Sequence, residues 1–440
     1  MNSEEEKNYI INYHFLKIFK MYHVFYPMDK PGLKIGKYNI NYHTFYPFFV
    51  LLELNVMAGC LIGFYYVIND LYAFVQLVLS LFTSFITVCK AIRFAQKYDE
   101  FWKLFDVMKV NFLSYSYYRK DILRNYRKKC VVVANIYAFI WITSCIFWIA
   151  NPFIIKEYPV KNREGNIAVY RNNPLNIFLA YVSYEHYQDF YWIIYIIETI
   201  IVVQVIVDVI LHDSIVILLC WMLSAQLETI AAKYETFGHK KINKEEDEEI
   251  FSVENLELII ADHIKVISKV KELYELIKPL TIIQLGIMSI IFNALTYMCV
   301  LMFFSENMFI SVISLKLFLT AIGVMMNLFI SGYFYGYLET QKDAMIFAMY
   351  SCNWTVKDIK FKKMLLHAIK MNNGNNLSMK VTPTKLVNIE MFSRVGFFLN
   401  KNYSINISFF ILGYEHILFN NFAFDKNETS RAVQLDLFFS

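Results

Sequence analysis

Apolar residues in this chain gather into long, nearly unbroken runs separated by short polar stretches. Six runs reach the roughly 20 residues that a helix needs to cross a hydrocarbon core about 30 Å thick. They are Phe45–Ile68, Leu71–Ile92, Cys130–Ile155, Phe190–Leu211, Leu276–Phe304 and Phe309–Tyr335. A weaker seventh lies within 387–419, where Glu390, Arg394, Lys401 and Glu415 interrupt it. The pattern predicts an all-α polytopic membrane protein with seven transmembrane helices. No internal repeat divides the runs into matching halves, which counts against a transporter built by duplication.

Between the fourth and fifth runs the period changes but does not vanish. After the fourth run, Ile215, Leu218, Leu219, Met222, Leu223, Leu227 and Ile230 recur at three- and four-residue steps. On the return, Leu256, Ile259, Ile260, Ile264, Ile267, Val270, Leu273, Tyr274 and Ile277 do the same. Residues 212–278 therefore read as two amphipathic helices extending beyond the bilayer, whose apolar faces need either each other or another subunit. The acidic stretch Lys244-Glu245-Glu246-Asp247-Glu248-Glu249 between them reads as a solvated tip.

Composition agrees with the pattern. Of the 440 residues, 57% are hydrophobic and 18% charged, against about 45–50% and 25% in a soluble domain. This excludes disordered, collagen-like and disulfide-scaffold classes. A net charge of +4, dispersed along the chain, gives no footing for nucleic acid. The charges that are present set an orientation. Segments 1–44, 93–129, 224–278 and 336–381 carry 31 Lys and Arg, against 4 in 69–70, 153–189 and 304–308. The positive-inside rule then places the N-terminus in the cytoplasm, the reverse of a G-protein-coupled receptor. The acidic start, Met1-Asn2-Ser3-Glu4-Glu5-Glu6, lacks a basic region leading into an apolar stretch, so the first membrane helix is expected to do the targeting.

Candidate chemistry is sparse. There is no Gly-rich phosphate loop, GxSxG or HExxH, and the chain is expected not to be an enzyme. The seven cysteines form no CxxC or Cys/His cluster, so no metal or cofactor is expected. His212-Asp213 reads as interfacial capping where the fourth helix leaves the membrane. Glu198 and Lys316 are more informative, because ionisable groups inside a membrane are costly. They lie about 12 Å and 10 Å in from the outer ends of their helices at 1.5 Å per residue. Two arrangements would accommodate them. They pair and shape an outward-facing cavity, or Lys316 snorkels outward while Glu198 finds hydroxyls. Around them the outer halves of the helices supply Tyr72, Phe74, Trp141, Trp148, Tyr187, Tyr191, Tyr195 and Phe318. Each could be packing or an interfacial belt; together they suit a small volatile or lipophilic ligand.

The last third of the chain carries an ordered set of short motifs. They are Gly332-Tyr333-Phe334-Tyr335-Gly336, Ala348-Met349-Tyr350-Ser351-Cys352-Asn353-Trp354, Phe361-Lys362-Lys363-Met364-Leu365-Leu366, and Pro383 through Glu390-Met391-Phe392-Ser393. With Asp213, Gln226-Leu227 and His263 upstream, this order resembles the insect odorant receptor family over residues 1–395. The resemblance implies a ligand-gated, non-selective cation channel in which an odour-tuning subunit assembles with a co-receptor as a heterotetramer. It implies no cofactor. It places the last helix along the pore and makes the cytoplasmic extensions an intersubunit anchor. Leu219, Leu223, Leu227, Ile260, Ile264, Ile267, Tyr350, Trp354 and Phe361 are the expected anchor residues. The co-receptor has a much longer connection between helices four and five, so this chain resembles a tuning subunit. A gustatory-type channel stays open as an alternative. A G-protein-coupled receptor finds less support, lacking Asp-Arg-Tyr after helix three and Asn-Pro-x-x-Tyr in helix seven.

The resemblance breaks at Val395. Residues 396–440 hold nine Phe and six Asn, the composition of translated AT-rich noncoding sequence. This atypical tail is expected to derive from a retained intron or an alternative end, which would compromise the pore-lining helix. Of the glycosylation sequons, Asn353 and Asn376 would be cytoplasmic and unused. Asn402, Asn406 and Asn427 would lie toward the outside, the first two too close to the seventh helix for modification.

Overall fold

Six long helices account for the six strong runs. The structure is a computed structural model describing residues 33–35, 38–40, 42–109, 111–114, 120–161, 165–177, 184–237, 253–304, 312–374, 378–382, 385–387 and 390. The helices are α1 (Tyr42–Val67), α2 (Leu71–Gln96), α4 (Lys120–Ile154), α6 (Tyr191–Thr236), α7 (Val253–Phe304) and α8 (Val312–Ser351). Shorter helices α3 (Tyr98–Leu104), α5 (Tyr184–Asp189) and α9 (Ile359–Gly374) connect or follow them. All six long helices are long and apolar enough to cross a membrane. The weak seventh run, the 396–440 tail, the 244–249 tip and the sequons at Asn376, Asn402, Asn406 and Asn427 lie outside the described residues.

The long helices overrun the bilayer, as the amphipathic pattern required. α6 has 46 residues and α7 has 52, so α6 is about 69 Å long, more than twice a hydrocarbon core. α6 is the hub: it packs on α2, α4, α7 and α8, while α1 packs on α2. Its central stretch from Ile215 to Leu227 is almost entirely buried. Its first half instead exposes Ile193, Ile196, Ile200 and Val203 along one stripe, matching Phe48, Leu51, Leu61 and Tyr65 on α1 and Phe139 and Ile146 on α4. In water these would make apolar patches larger than a soluble monomer tolerates; lipid covers them at no cost.

Local signals set the joints. The turn between α1 and α2 closes through the Asp70 N–H to the Val67 carbonyl, and Asp70 then caps α2 by accepting from the Ala73 N–H at 3.0 Å. The other Asp70 oxygen accepts from the Lys161 N–H at 3.1 Å. That bond ties the helix to a hairpin that the hydrophobic pattern did not announce. Strands β3 (Glu157–Lys161) and β4 (Ile167–Arg171) pair antiparallel, with Tyr158 opposite Tyr170. Two smaller pairs, β1 (Leu33–Ile35) with β2 (Tyr38–Ile40) and β5 (Lys380–Thr382) with β6 (Lys385–Leu386), complete a mainly helical fold.

α4 and α8 run antiparallel along a ladder of facing residues. Trp148 meets Lys316 and Thr320, Ser144 meets Thr320, Trp141 meets Gly323, and Tyr137 meets Asn327. At Gly323 the Trp141 indole lies directly against the α8 backbone. A Cβ there would sit 3.2 Å from Trp141 Cζ2, against a rigid indole that cannot fold away. Gly323→Val should therefore cost about 1–3 kcal/mol by overpacking, read as a lower melting temperature of the detergent-solubilised protein. At Gly63 the nearer contact, 2.6 Å, is only the end of the Leu77 side chain, so Gly63→Ala should be much milder.

Candidate functional site

At the hairpin end of the bundle, a polar segment lies where membrane helices would be expected to pack. Residues 172–177, Asn-Asn-Pro-Leu-Asn-Ile, leave β4 and are all buried. Buried backbone N–H groups need partners, and Glu198 on α6 supplies them. It accepts from the N–H groups of Leu175 at 2.7 Å, Asn176 at 2.9 Å and Ile177 at 2.9 Å. Three successive amides converging on one carboxylate make an anion cradle. Asn176 turns the chain with φ of 55°, a left-handed conformation that asparagine tolerates better than most residues. Its side chain bonds Asn172 Oδ1 and accepts from the Asn173 N–H. The Leu175 carbonyl accepts from Gln76 on α2, and the Asn172 carbonyl from Tyr191. The Tyr187 hydroxyl accepts from Asn173 and donates to the Arg171 carbonyl. Burial, with the nearby Glu198 charge, raises the pKa of that hydroxyl, so it remains a donor.

Both sequence expectations for the Glu198–Lys316 couple need correction. Glu198 is held by the backbone amides of residues 175–177, and Lys316 Nζ does not bond it. Lys316 does not snorkel: it is 1% exposed. Among the described residues its Nζ has no hydrogen-bond partner, and it stands 3.7 Å from the centre of the Trp148 ring, a cation–π contact. Beside it, Thr320 Oγ1 accepts from Trp148 Nε1 at 3.0 Å, meets Ser144 Oγ at 3.2 Å and donates to the Lys316 carbonyl. Ser144 and Thr320 were missed from sequence. Helical spacing points to them: Trp141, Ser144 and Trp148 share one face, as do Lys316, Thr320 and Gly323.

The expected aromatic residues divide. Trp141, Trp148, Tyr187, Tyr191 and Tyr195 are buried at this end of the bundle. The Tyr195 hydroxyl reaches across to the Ile149 carbonyl on α4 at 3.1 Å. Arg171 stacks 3.8 Å from the Tyr191 ring. Tyr72 and Phe74 are half-buried on α2, near Tyr158 and Phe64 respectively. Phe318 is 37% exposed, two residues past Lys316 and therefore on the opposite side of α8.

Further along the same ladder lies a second polar centre. Asp213 accepts from Lys90 Nζ at 2.5 Å, the Tyr137 hydroxyl at 2.6 Å and Asn327 Nδ2 at 2.6 Å. Gln284 Nε2 donates to Asn327 Oδ1. One carboxylate thus joins α2, α4, α6 and α8 directly and α7 through Asn327. Lys90, His212, Asp213, Gln284, Asn327 and Tyr335 line a cavity there. The expectation that His212-Asp213 caps an interface is corrected: both are buried inside the helix bundle.

The anchor residues also divide. Leu219, Leu223, Leu227, Ile267 and Phe361 are buried within the chain, with Phe361 stacked on Phe237 at 5.7 Å. They are core of this subunit and not free for intersubunit contact; α6 packs on α8, and α7 on α8 and α9. Ile264 and Tyr350 stay exposed at 48% and 56%, and Ile260 and Trp354 are half-exposed. Gln226 donates to the Val107 carbonyl, which explains a buried amide in that helix.

Six helices long and apolar enough to cross a membrane, two of them overlong, with aromatic and ionisable groups enclosed at one end, define a multi-pass helical membrane protein. A family model described as 7tm Odorant receptor matches residues 68–396. The chain belongs to that family. Among solved structures it is similar to the insect olfactory receptor OR5 from Machilis hrabei, at 12% identity and a TM-score of 0.63, covering 91% of this chain and 98% of that one. It is equally similar to the same receptor in complex with eugenol, at 12% identity and a TM-score of 0.64, covering 88% and 95%. At that identity the likeness establishes the fold. No curated protein matches the chain.

Proposed function

We propose that this odorant receptor is an odour-tuning subunit of the plasma membrane, with its N-terminus in the cytoplasm. It binds a small lipophilic odorant among the outer halves of α2, α4, α6 and α8. With a co-receptor, in a heterotetramer, it opens a non-selective cation channel. The observation that carries the ligand site is the enclosed group of Trp148, Lys316 and Thr320, where a buried ammonium has an aromatic face but, among the described residues, no hydrogen-bond acceptor. The eugenol held by a similar receptor supports a small odorant as ligand. The charge count of 31 against 4 across the two sets of connections supports the orientation. The test is to express the chain with an N-terminal epitope tag, alone and with the co-receptor, and to screen an odorant panel. The tag should be reachable only after permeabilisation, and odorant-evoked calcium entry should require both subunits. Surface labelling of intact cells would contradict the orientation. Responses without the co-receptor would contradict the shared channel.

A further inference from the structure

We infer that Lys316 determines which odorants the pocket accepts, and that it donates a hydrogen bond to the oxygen of a neutral ketone or ester rather than pairing with a carboxylate. The inference rests on the odorant-pocket reading above and adds the chemical class of the ligand. It starts from the unmet donors of Lys316. The Trp148 ring offsets the ammonium charge, but a ring face is no substitute for the directional acceptors of three N–H bonds. The Thr320 and Glu198 oxygens already have other hydrogen-bond partners. Thr320 Oγ1 already serves Trp148 Nε1, Ser144 Oγ and the Lys316 carbonyl. Both Glu198 oxygens are committed to the amides of residues 175–177. A buried donor set left in this state in the free receptor is costly, and a ligand acceptor would relieve it.

Charge decides between acceptors. Glu198 and Lys316 are both buried, and as carboxylate and ammonium they sum to zero. A carboxylate ligand would leave the enclosure with an uncompensated negative charge, and desolvating it is expensive. A carbonyl supplies the missing acceptor and adds no charge. The indoles of Trp148 and Trp141 on the same helix face suit the hydrocarbon part of such a molecule.

The experiment compares 2-heptanone, n-heptane and heptanoic acid on the full chain co-expressed with its co-receptor, for wild type, Lys316→Met and Lys316→Gln. Surface amounts are equalised by biotinylation. Wild type should respond at a lower half-maximal concentration to the ketone than to the alkane or the acid. Lys316→Met should raise the ketone value by about tenfold or more, the worth of one hydrogen bond from a charged donor, and leave the alkane value unchanged or lower. Lys316→Gln, which keeps an N–H donor of different reach, should retain part of the ketone preference and shows that the side chain's chemistry, not its bulk, is being read. Equal shifts for ketone and alkane in Lys316→Met, or a wild-type preference for the acid at neutral pH, would overturn the inference while leaving the odorant-pocket reading intact. A wild-type chain present at the surface but silent to all three compounds and to the wider panel would remove that reading and this inference with it.

Discussion

Replacing Asp213 with alanine will destabilise the receptor by about 3–5 kcal/mol, the usual consequence of removing one partner from a buried ion pair. The carboxylate holds Lys90, Tyr137 and Asn327 at once, so its loss strands an ammonium, a hydroxyl and an amide where water does not readily replace it. The expected observation is a large fall in surface abundance and in the melting temperature of solubilised protein. Lys90→Met combined with Asp213→Leu should recover most of that loss, because the double variant removes both charges and leaves apolar side chains of similar size. A double variant no more stable than Asp213→Ala alone would mean that hydrogen bonds to Tyr137 and Asn327, not the charge pair, hold the five helices together.

The second large effect is expected at Glu198. Glu198→Ala removes the acceptor for three buried amides, and each bond to a charged acceptor is worth about 1.5–3 kcal/mol. Some relaxation of residues 172–177 offsets part of the loss, leaving an expected cost on the order of 4 kcal/mol. Glu198→Gln should be nearly as harmful despite its shape, since its NH2 would face an N–H donor. The effect should be local: limited proteolysis should find a new cleavage near Asn172–Ile177 in the variants before the bundle itself unfolds. Uniform loss of protection along the chain would show that the segment contributes no separate structure. Because Glu198 and Lys316 are both buried at this end of the bundle, odorant selectivity should change in any surviving receptor.

The long apolar runs showed the helices because a bilayer demands about 20 apolar residues, and nothing else in a chain of this composition meets that length. The overlong α6 and α7 were equally visible from the recurrence of Leu219, Leu223 and Leu227 and of Ile260, Ile264 and Ile267. What those faces touch was not visible. Leu227 and Ile264 have the same kind of side chain at the same kind of spacing, yet one is buried inside the subunit and the other exposed. Periodicity reports a face, not its occupant.

The site was legible in a similar measure. That Glu198, Lys316, Trp148 and Tyr195 lie in the outer halves of their helices followed from their position within apolar runs; that Lys316 is buried rather than snorkelling did not. The partner of Glu198 did not follow, because it is backbone. An amide donor has no letter in the sequence, and the turn that presents three of them depends on Asn176 adopting a left-handed conformation. The Asp213 centre escaped for a related reason. Lys90, Tyr137, Asn327 and Asp213 come from four separate helices, and only the helix crossings bring them within bonding distance.

The central claim is that this chain forms part of an odorant-opened channel. Recording from excised inside-out patches tests it most directly, using cells that express the chain with its co-receptor and whichever panel odorant activates the intact cell. The expected result is an odorant-evoked cation current that persists in nucleotide-free solution and is absent from patches containing either subunit alone. A current that disappears on excision and returns only with GTP would contradict the account, since the odorant would then be acting through a separate signalling protein rather than on the channel itself.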